Sequence, residues 1–447
     1  MARSVKMACG VLAGAACGFA VASVVAQEPA LELMLTDAER HEHSARPQVG
    51  TPQRPELSNA ENSDAGKPVW EWDHLTGDWG GLRPTLDDRG IVIDADITID
   101  WSKNLRGGLN NNGDSFRHLF NFNLTLDTER LGFWPGGVVF FNFQNHNGEN
   151  GTEEEVGDLQ GYSNIDADGR TQLSELWYEQ TLFEGVLRLK LGKIDANSEF
   201  AFVDHGGEFL NSSFGFSPTI LGITSYPDPA GGLVVFVQPC EFLYAGFGVF
   251  DGAAQEGITT GSRGIKTLFG DPADLFLIGE IGVTWTLGDA ALAGRAAVGF
   301  WRHTGTFERL AGGNENGTEG FYIVADQQIC RENPADDEDS QGLGFFFQYG
   351  YADADVSEIE HHIGGGFAWT GPIPTRDEDV FGVGFTTILL SDDGGFDESN
   401  ETTIELFYKV QVTPAVSVKP DVQYISNPSG GATRDVIVAT VRVEIAF

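Results

Sequence analysis

The chain has 447 residues and carries 66 acidic side chains against 27 basic ones, a formal net charge of −39 at pH 7. Nucleic acids and anionic membrane surfaces repel a chain of this charge, so its composition excludes them as partners. Beyond the N-terminal region, no segment has the 18 or more uncharged apolar residues of a membrane-spanning helix. A membrane location therefore requires a barrel of strands.

Residues 1–26 are typical of a secretory signal peptide. Two basic residues open the chain, Val11–Val25 is small and apolar, and Ala26 ends a small-residue cleavage site. Export to an oxidising compartment follows. The exported chain keeps two cysteines, Cys240 and Cys330, and the sequence leaves their pairing open.

Residues 27–68 are polar and rich in Pro, Asn, Ser and Glu. Such a segment cannot bury enough apolar surface to offset the entropy lost on ordering, so we predict a disordered polar tether. Residues 69–89 form a predicted entry segment. Within it, residues 81–89 have the pattern of a short amphipathic helix that Gly90 stops.

From residue 90 to the C-terminus, apolar and polar side chains alternate with the period of a β-strand. In the last strand, Val441 and Val443 alternate with Arg442 and Glu444. Charged residues recur on the face that a soluble sandwich would bury, and a dry core cannot hold unpaired charges cheaply. A water-filled lumen can hold them, so the alternation favours a barrel with an apolar outer face.

About sixteen such strands fit between residues 90 and 447, within the range of outer-membrane barrels. The last strand ends on Phe447 without a polar tail, as expected if it pairs with the first strand and closes the sheet. Connections such as residues 183–185 are tight, whereas 148–171 and 331–341 are long and polar, which predicts turns at one end and loops at the other. The predicted fold is an all-β, 16-stranded antiparallel transmembrane barrel with a short N-terminal helical segment.

A calcium-loop pattern is present at residues 164–175. Asn164, Asp166 and Asp168 have the spacing of oxygen ligands, Gly169 that of the turn, and Glu175 that of the bidentate closing ligand. Asn takes the place of the usual first Asp, and the sequence that follows is typical of a strand. An acidic turn is therefore the favoured interpretation, and structural Ca²⁺ is the one cofactor that the sequence suggests.

Several motifs resemble those of the OprB-type carbohydrate-selective porins. In chain order they are LTGDWGGLR at Leu75–Arg83, SELWYEQ at Ser174–Gln180, LGKIDAN at Leu191–Asn197, GFYIVADQQ at Gly320–Gln328, RDEDV at Arg376–Val380 and LFYKVQVTP at Leu406–Pro414. The resemblance implies a 16-stranded barrel in the outer membrane of a Gram-negative bacterium. It implies passive diffusion of neutral mono- or oligosaccharides through a narrowed, charged channel, and it is compatible with a homotrimer.

The candidate channel residues lie on two neighbouring predicted strands. Glu175, Trp177 and Glu179 share one strand face, and Arg188 and Lys190 lie on the next strand. Facing inward, they would form a mixed-charge wall with an aromatic platform for a sugar ring. We predict that Arg188 and Glu179 tune solute passage. The alternative is that Trp177 belongs to an aromatic girdle and the charges are solvated spacers.

Other interpretations stay open. Arg83 of the entry motif is a further channel candidate, although packing of a periplasmic cap explains it equally well. The acidity also suits a general or cation-preferring porin. An outer-membrane lipase would need a Ser–His pair, for which His205 and residues 212–213 are thin candidates. No enzyme is predicted, and the sequence does not say which sugar is carried.

Overall fold

The computed structural model describes residues 64, 66–267, 270, 272–334 and 341–447. The predicted signal peptide and nearly all of the predicted tether lie outside these residues. Within the described ranges, no helix combines the length and the apolar character needed to cross a membrane.

Sixteen antiparallel strands close into one barrel, each hydrogen-bonded to its neighbours in the sequence and the last to the first. The strands are β1 Ile91–Arg106, β2 Asp114–Asp127, β3 Gly137–Gly148, β4 Arg170–Leu182, β5 Leu187–Ile194, β6 Ala230–Cys240, β7 Leu243–Asp251, β8 Leu275–Leu287, β9 Leu292–Glu308, β10 Asn314–Arg331, β11 Gly342–Ala352, β12 Ile359–Thr370, β13 Val380–Leu390, β14 Asn400–Thr413, β15 Val416–Ser426 and β16 Val436–Ala446. The predicted fold is confirmed.

Helices are short. The predicted N-terminal helix is α1, Leu82–Asp88, and two single turns follow, α2 Thr260–Arg263 and α3 Pro428–Gly431. Brief 3₁₀ turns cover Val69–Glu71, Asp204–Gly206, Ser212–Phe214, Ala253–Glu256, Gly264–Lys266 and Asp392–Gly394, and a π-type turn covers Thr152–Val156. All the turns after α1 lie in connections between strands.

The seam between β1 and β16 shows why the alternation predicts a ring. Asp100 pairs in register with Arg442, and their side chains form a two-pronged ion pair inside the barrel, at 2.8 and 2.9 Å. On the opposite face, Trp101 and its partner Val441 are exposed to the surroundings of the barrel. One strand register thus places charge inside and apolar surface outside.

The connections sort into two ends. At the loop end lie the long connections, residues 149–169, 195–229 and 252–274; at the turn end lie tight turns such as residues 183–186, 241–242 and 414–415. The prediction that residues 331–341 form a loop at the same end is not met by the strand order: β10 ends at Arg331 and β11 begins at Gly342, and both of these strand ends lie at the turn end. Residues 335–340 of this connection lie outside the described residues.

Two connections from the loop end fold into the barrel. Residues 195–229, the long lumenal loop, reach β14, where the Glu405 carboxylate accepts hydrogen bonds from the backbone N–H groups of Leu210 and Asn211. Residues 149–169, the short lumenal loop, lie against β1, β2 and β14 to β16. There Glu401 accepts hydrogen bonds from the backbone of Leu159 at 2.9 Å. Inward-facing carboxylates of the wall thus satisfy loop backbone that would otherwise be buried without partners.

The filled side of the barrel, strands β6 to β13, carries most of an aromatic core between loop and wall, and Phe407 of β14 completes that core. Phe209 and Phe214 of the long lumenal loop pack on each other and on Phe346 of β11, with ring centroids 4.5–5.7 Å apart, and Phe209 also meets Phe407 at 5.0 Å. All four rings are essentially fully buried. Each contributes about 1.5–3 kcal/mol through the apolar surface removed from water, so the loop is held by packing as well as by hydrogen bonds.

Glycine in the wall makes room for the inward aromatic rings. Tyr322 lies across Gly299 of the neighbouring strand, and a Cβ at that glycine would come within 2.0 Å of the ring. Phe407 lies across Gly382 in the same way, at 2.2 Å. Any larger residue at either position would displace the ring, so glycine here serves close packing rather than a turn.

Candidate functional site

Residues 199–208 of the long lumenal loop, the crossing segment, run along the inner wall from β5 to β14 and β15. Wall side chains hold it on the way. Glu280 accepts from the backbone N–H of Ala201 at 3.2 Å, and Asp326 accepts from that of His205 at 3.0 Å. Arg295 donates to the carbonyl of residue 202 at 3.0 Å. The segment therefore has a fixed course across the lumen.

The start of the crossing segment is held by the Glu199 cluster, which consists of Glu179, Arg188, Lys190 and Glu199. Arg188 bonds Glu199 at 2.7 Å and Glu179 at 3.0 Å, and Lys190 bonds Glu199 and lies 3.4 Å from Glu179. The two acids and two bases neutralise one another, and no side chain among them is more than 10% exposed. The structure brings these predicted residues together, but around a loop carboxylate rather than around open water.

The end of the crossing segment is held by the Glu208 cluster, which consists of Glu208, Lys409, Lys419 and Glu444. Glu208 bridges Lys409 at 2.9 Å and Lys419 at 2.6 Å, and Lys409 reaches Glu444 of β16 at 3.3 Å. Glu208 and Glu444 keep 34% and 31% of their side chains exposed. This cluster therefore borders water, unlike the Glu199 cluster.

The open side of the barrel comprises β14 to β16 and β1 to β5. Toward the turn end, its inner face keeps polar side chains that are partly exposed. These include Asp94, Asp96, Asn121, Asn123, Gln411 and Glu444. Asn121 donates to Asp96 at 3.0 Å across the β1–β2 pair. Carboxylate and amide groups that water still reaches, spaced along one wall, are suited to exchanging hydrogen bonds with a passing polar solute.

Trp177 faces inward as predicted, but its ring is not free for a sugar. It stacks on Phe140 with centroids 4.9 Å apart, Lys190 lies 3.8 Å from its centroid, and the residue is 7% exposed. Its indole N–H donates to Glu175, which also accepts from the backbone of Asp195. The geometry thus places Trp177 and Glu175 in the packing that orients the Glu199 cluster.

Arg83 lies at the turn end, where it ties the two ends of the barrel sequence together. Its guanidinium donates to the carbonyl of Phe447 at 2.7 Å, lies 3.7 Å from Asp94 and stacks on Trp79. Nearby, the backbone N–H of Leu75 donates to the carbonyl of residue 446. Arg83 is buried, and these contacts match the structural alternative given for it.

The four predicted calcium ligands do not converge. The Asn164 side-chain oxygen accepts from Arg442 at 2.8 Å, Asp166 pairs with Arg117, and Asp168 is exposed in the loop. Glu175 lies in β4, where a strand replaces the helix that would close a calcium loop. Across the described ranges, no group of three or more His, Cys, Asp or Glu side chains is arranged to hold a metal.

Two further candidates find different surroundings. Cys240 is a free thiol, so Cys240 and Cys330 do not bond to each other. The lumen holds a Ser–His contact, Ser217 with His362 at 3.1 Å, but both residues are buried, and the other ring nitrogen of His362 faces Thr386 at 2.8 Å. A hydrolase needs an exposed nucleophile and an oriented base, so this contact serves loop packing.

Glu199 and Glu208, the two acids of the long lumenal loop, were not singled out by sequence reasoning. No strand period runs through residues 195–229, so nothing in the sequence distinguishes these acids from solvated ones. Lys409 and Glu444 did carry a signal, since the alternation already puts them on the inner face. Their neighbours, however, depend on a loop some 200 residues away in the chain.

Comparisons with known proteins agree with this architecture. The family model described as "Carbohydrate-selective porin, OprB family" matches residues 112–447. Porin B of Pseudomonas aeruginosa is 24% identical over 437 residues, which cover 87% of this chain and 94% of that protein. A putative porin, QuiX, of Acinetobacter baylyi is 22% identical over 410 residues, covering 81% and 90%.

Among solved structures, the high-pH structure of Pseudomonas putida OprB superimposes with a TM-score of 0.75 at 21% identity, covering 84% of this chain and 99% of that one. The low-pH structure of the same protein gives 0.54 at 19% identity with the same coverage. At this level of identity the likeness concerns the fold.

Proposed function

We propose a sugar route through this chain, which belongs to the OprB family of carbohydrate-selective porins. Sugars diffuse passively through such a barrel. Toward the turn end, the route lies between the crossing segment and the inner wall formed by β14 to β16 and β1 to β5. Toward the loop end, the short lumenal loop covers part of that wall, along β1, β2 and β14 to β16. On the filled side, the long lumenal loop and its aromatic core occupy the space that a solute would need.

The observation that carries this proposal is the residual exposure of the Glu208 cluster. Wall side chains of the filled side such as Glu280 and Phe346 are 2% exposed or less, whereas Glu208 and Glu444 are about one third exposed. Water therefore reaches the gap between loop and wall on the open side. A polar solute that enters the lumen has its hydrogen-bond partners there.

The chemistry of the open side suits a neutral sugar. The amides of Asn121 and Asn123 offer both donors and acceptors, and Asp96 adds an acceptor. Exchange of water hydrogen bonds for these bonds lets a hydroxylated solute pass without tight binding, which a diffusion channel must avoid. Recognition by amides and carboxylates replaces the stacking that sequence analysis assigned to Trp177.

In this proposal the Glu199 cluster acts indirectly. Arg188 and Glu179 fix where the crossing segment starts, and so they set the width of the gap rather than touching the solute. An effect of Arg188 on solute passage therefore stays a prediction, but its physical reason is now the position of the crossing segment rather than contact with the solute.

We further propose that the barrel spans the outer membrane of a Gram-negative bacterium with its turn end toward the periplasm, and that it carries out no catalysis. Exposed aromatic residues at the turn end, Phe133, Trp134, Phe183 and Phe242, are placed as an interfacial girdle would be. Export by residues 1–26 is consistent with this location.

A bulky side chain placed on each face of β2 tests the route. Asn121→Trp adds a ring to the open side, and Phe120→Trp enlarges the ring already present on the outer face of the same strand, one residue away. We expect liposomes containing wild-type protein or Phe120→Trp to swell in neutral monosaccharides, with rates that fall as the sugar grows. Asn121→Trp should slow swelling severalfold. Equal rates for the two variants, or no swelling with wild-type protein, would contradict the proposal.

A further inference from the structure

Two acids and two bases hold each end of the crossing segment, yet the two clusters differ in what they show to water. In the Glu208 cluster the carboxylates of Glu208 and Glu444 are 34% and 31% exposed, while Lys409 is 18% exposed and Lys419 only 2%. Lys419 is turned away from the gap, toward the ring of Phe407 and the backbone of the loop. A solute at this point therefore meets mainly negative oxygens.

The neighbouring strand adds charge of the same sign. Asp94 and Asp96 face inward on β1 and are partly exposed, and Glu444 lies on the adjacent strand β16, two register positions beyond the partner of Asp96. The basic groups near Asp94 are His74 and Arg83, each 3.7 Å away, and Arg83 is largely covered. Across the described part of the open side, exposed charge toward the turn end is predominantly negative.

Resting on the proposed sugar route, we infer that the Glu208 cluster and the adjacent carboxylates of β1 form a charge filter. It admits neutral and cationic sugars and excludes anionic ones, such as sugar acids. Fixed charge of one sign in a narrow passage with low-dielectric walls concentrates mobile ions of the opposite sign and repels those of the same sign. Neutral sugars are indifferent to this field and pass by hydrogen bonding.

The Glu199 cluster does not take this role, although it has the same composition. Its four side chains are at most 10% exposed, and both bases contact both acids. Mutually neutralised charges that water does not reach have little influence on an ion in the passage. The Glu208 cluster is also balanced in number, but its acids are exposed while its bases are largely covered, and Asp94 and Asp96 add negative charge beside it. The filter is therefore assigned to the end of the crossing segment and not to its start.

Ion selectivity in planar bilayers tests the filter directly. With a KCl gradient across the membrane, we expect wild-type full-length protein to show a reversal potential that corresponds to preference for K⁺ over Cl⁻. Glu208→Gln and Glu444→Gln should each lower the permeability ratio by at least about twofold. Because Glu444 belongs to the wall, its variant removes charge from the gap without removing the bridge that holds the loop.

Glu319→Gln is the matched control. Glu319 is exposed on the outer face of β10, where it pairs with Arg302, so this variant makes the same change in net charge away from the lumen. It should leave the permeability ratio unchanged. A shift in the control as large as that in Glu444→Gln would overturn the assignment of the filter to the lumen.

Swelling in isosmotic sugars of different charge gives an independent measure. We expect glucosamine and glucose to enter liposomes containing the wild-type protein, glucuronate to enter severalfold more slowly, and Glu444→Gln to narrow that difference. Equal entry of glucuronate and glucose, or a wild-type preference for Cl⁻, would overturn the filter while leaving the sugar route intact. Absence of any conductance or swelling would overturn the proposed route itself.

Discussion

The filled and open sides of the lumen are built from strands with the same alternation, yet they have opposite contents. On β11 the inward residues Phe346 and Gln348 are fully buried beneath the long lumenal loop, and Gln348 donates to the loop backbone. On β16 and β1 the inward residues Arg442 and Asp100 are also buried, but Glu444 and Asp94, nearer the turn end, keep about a third of their side-chain surface in water. Strand periodicity thus separates inside from outside but does not separate dry from wet.

Inward-facing carboxylates have two different roles in this barrel. Inward carboxylates in a barrel are first expected to be solvated, but Glu401 and Glu405 are fully buried and accept several backbone N–H groups of the lumenal loops. They are tolerated because each negative charge is met by hydrogen-bond donors. One set of inward charges therefore fastens loops, and another borders the solute.

Removal of a ring from the core of the filled side should have the largest effect. Phe209→Ala deletes the ring that packs on Phe214, Phe346 and Phe407. Core substitutions of this kind cost about 3–5 kcal/mol of stability. Here the loss should weaken the docking of the long lumenal loop rather than the stability of the barrel. We expect proteolytic nicking of residues 195–229 and a higher single-channel conductance. The barrel should stay folded, seen as an unchanged mobility shift between unboiled and boiled samples in gels.

Phe133→Ala serves as its control. That ring is 70% exposed at the turn end, so the same deletion there should leave conductance and protease resistance unchanged. If Phe209→Ala also leaves both unchanged, the aromatic core does not hold the loop, and the distinction between a filled and an open side loses its basis.

Arg188→Ala should have the next largest effect. It leaves Glu179 and Glu199 buried with Lys190 as the remaining partner, and breaking such a buried pair costs about 3 kcal/mol or more. The crossing segment would loosen at its start, and liposome swelling rates should change for all sugars by a similar factor. Unchanged rates for every sugar would remove Arg188 from any role in passage, and a change confined to charged sugars would place it in the filter instead.

Glu405→Gln probes a single fastening point. The substitution keeps the shape but replaces the charged acceptor of two backbone N–H groups with a neutral one. Loss of a charge-assisted hydrogen bond costs about 1.5–3 kcal/mol, so hydrogen exchange at Leu210 and Asn211 should accelerate while the strands stay protected. Glu308→Gln, on the exposed outer face, is the control that should show no local change.

The sequence alone predicts a structural property correctly where that property depends on neighbours in the same strand. The inward positions of Arg188, Lys409 and Arg442 follow from the period of two. The contents of the lumen depend instead on contacts between distant parts of the chain. Glu208 meets Lys419 because the loop crosses the barrel, and no local pattern records that crossing.

The calcium pattern shows the same limit from the other direction. Asn164, Asp166 and Asp168 have a spacing typical of ligands, but that spacing selects a metal only when the backbone curls around one point. Here the backbone instead follows the wall. Arg442 of β16 donates a hydrogen bond to the side-chain oxygen of Asn164, and Arg117 of β2 forms an ion pair with Asp166. The partners, again, come from elsewhere in the chain.

The smallest effect is expected for Arg83→Ala, which asks whether every charge near the open side acts on the solute. Arg83 lies close to Asp94 but is buried, and its strongest contact is the hydrogen bond to the carbonyl of Phe447. Loss of that charge-assisted bond should lower the unfolding free energy by about 1.5 kcal/mol, seen as a lower temperature for the mobility shift in unboiled gels. Substitution of Arg89, an exposed arginine at the end of the same helix, by alanine should leave that temperature unchanged.

Sugar swelling rates and ion selectivity should be the same for Arg83→Ala and Arg89→Ala, because a covered guanidinium contributes little to the electric field in the gap. Should Arg83→Ala change selectivity as strongly as Glu444→Gln, the filter would extend to the turn-end rim, and burial would no longer distinguish fastening charges from those that meet the solute.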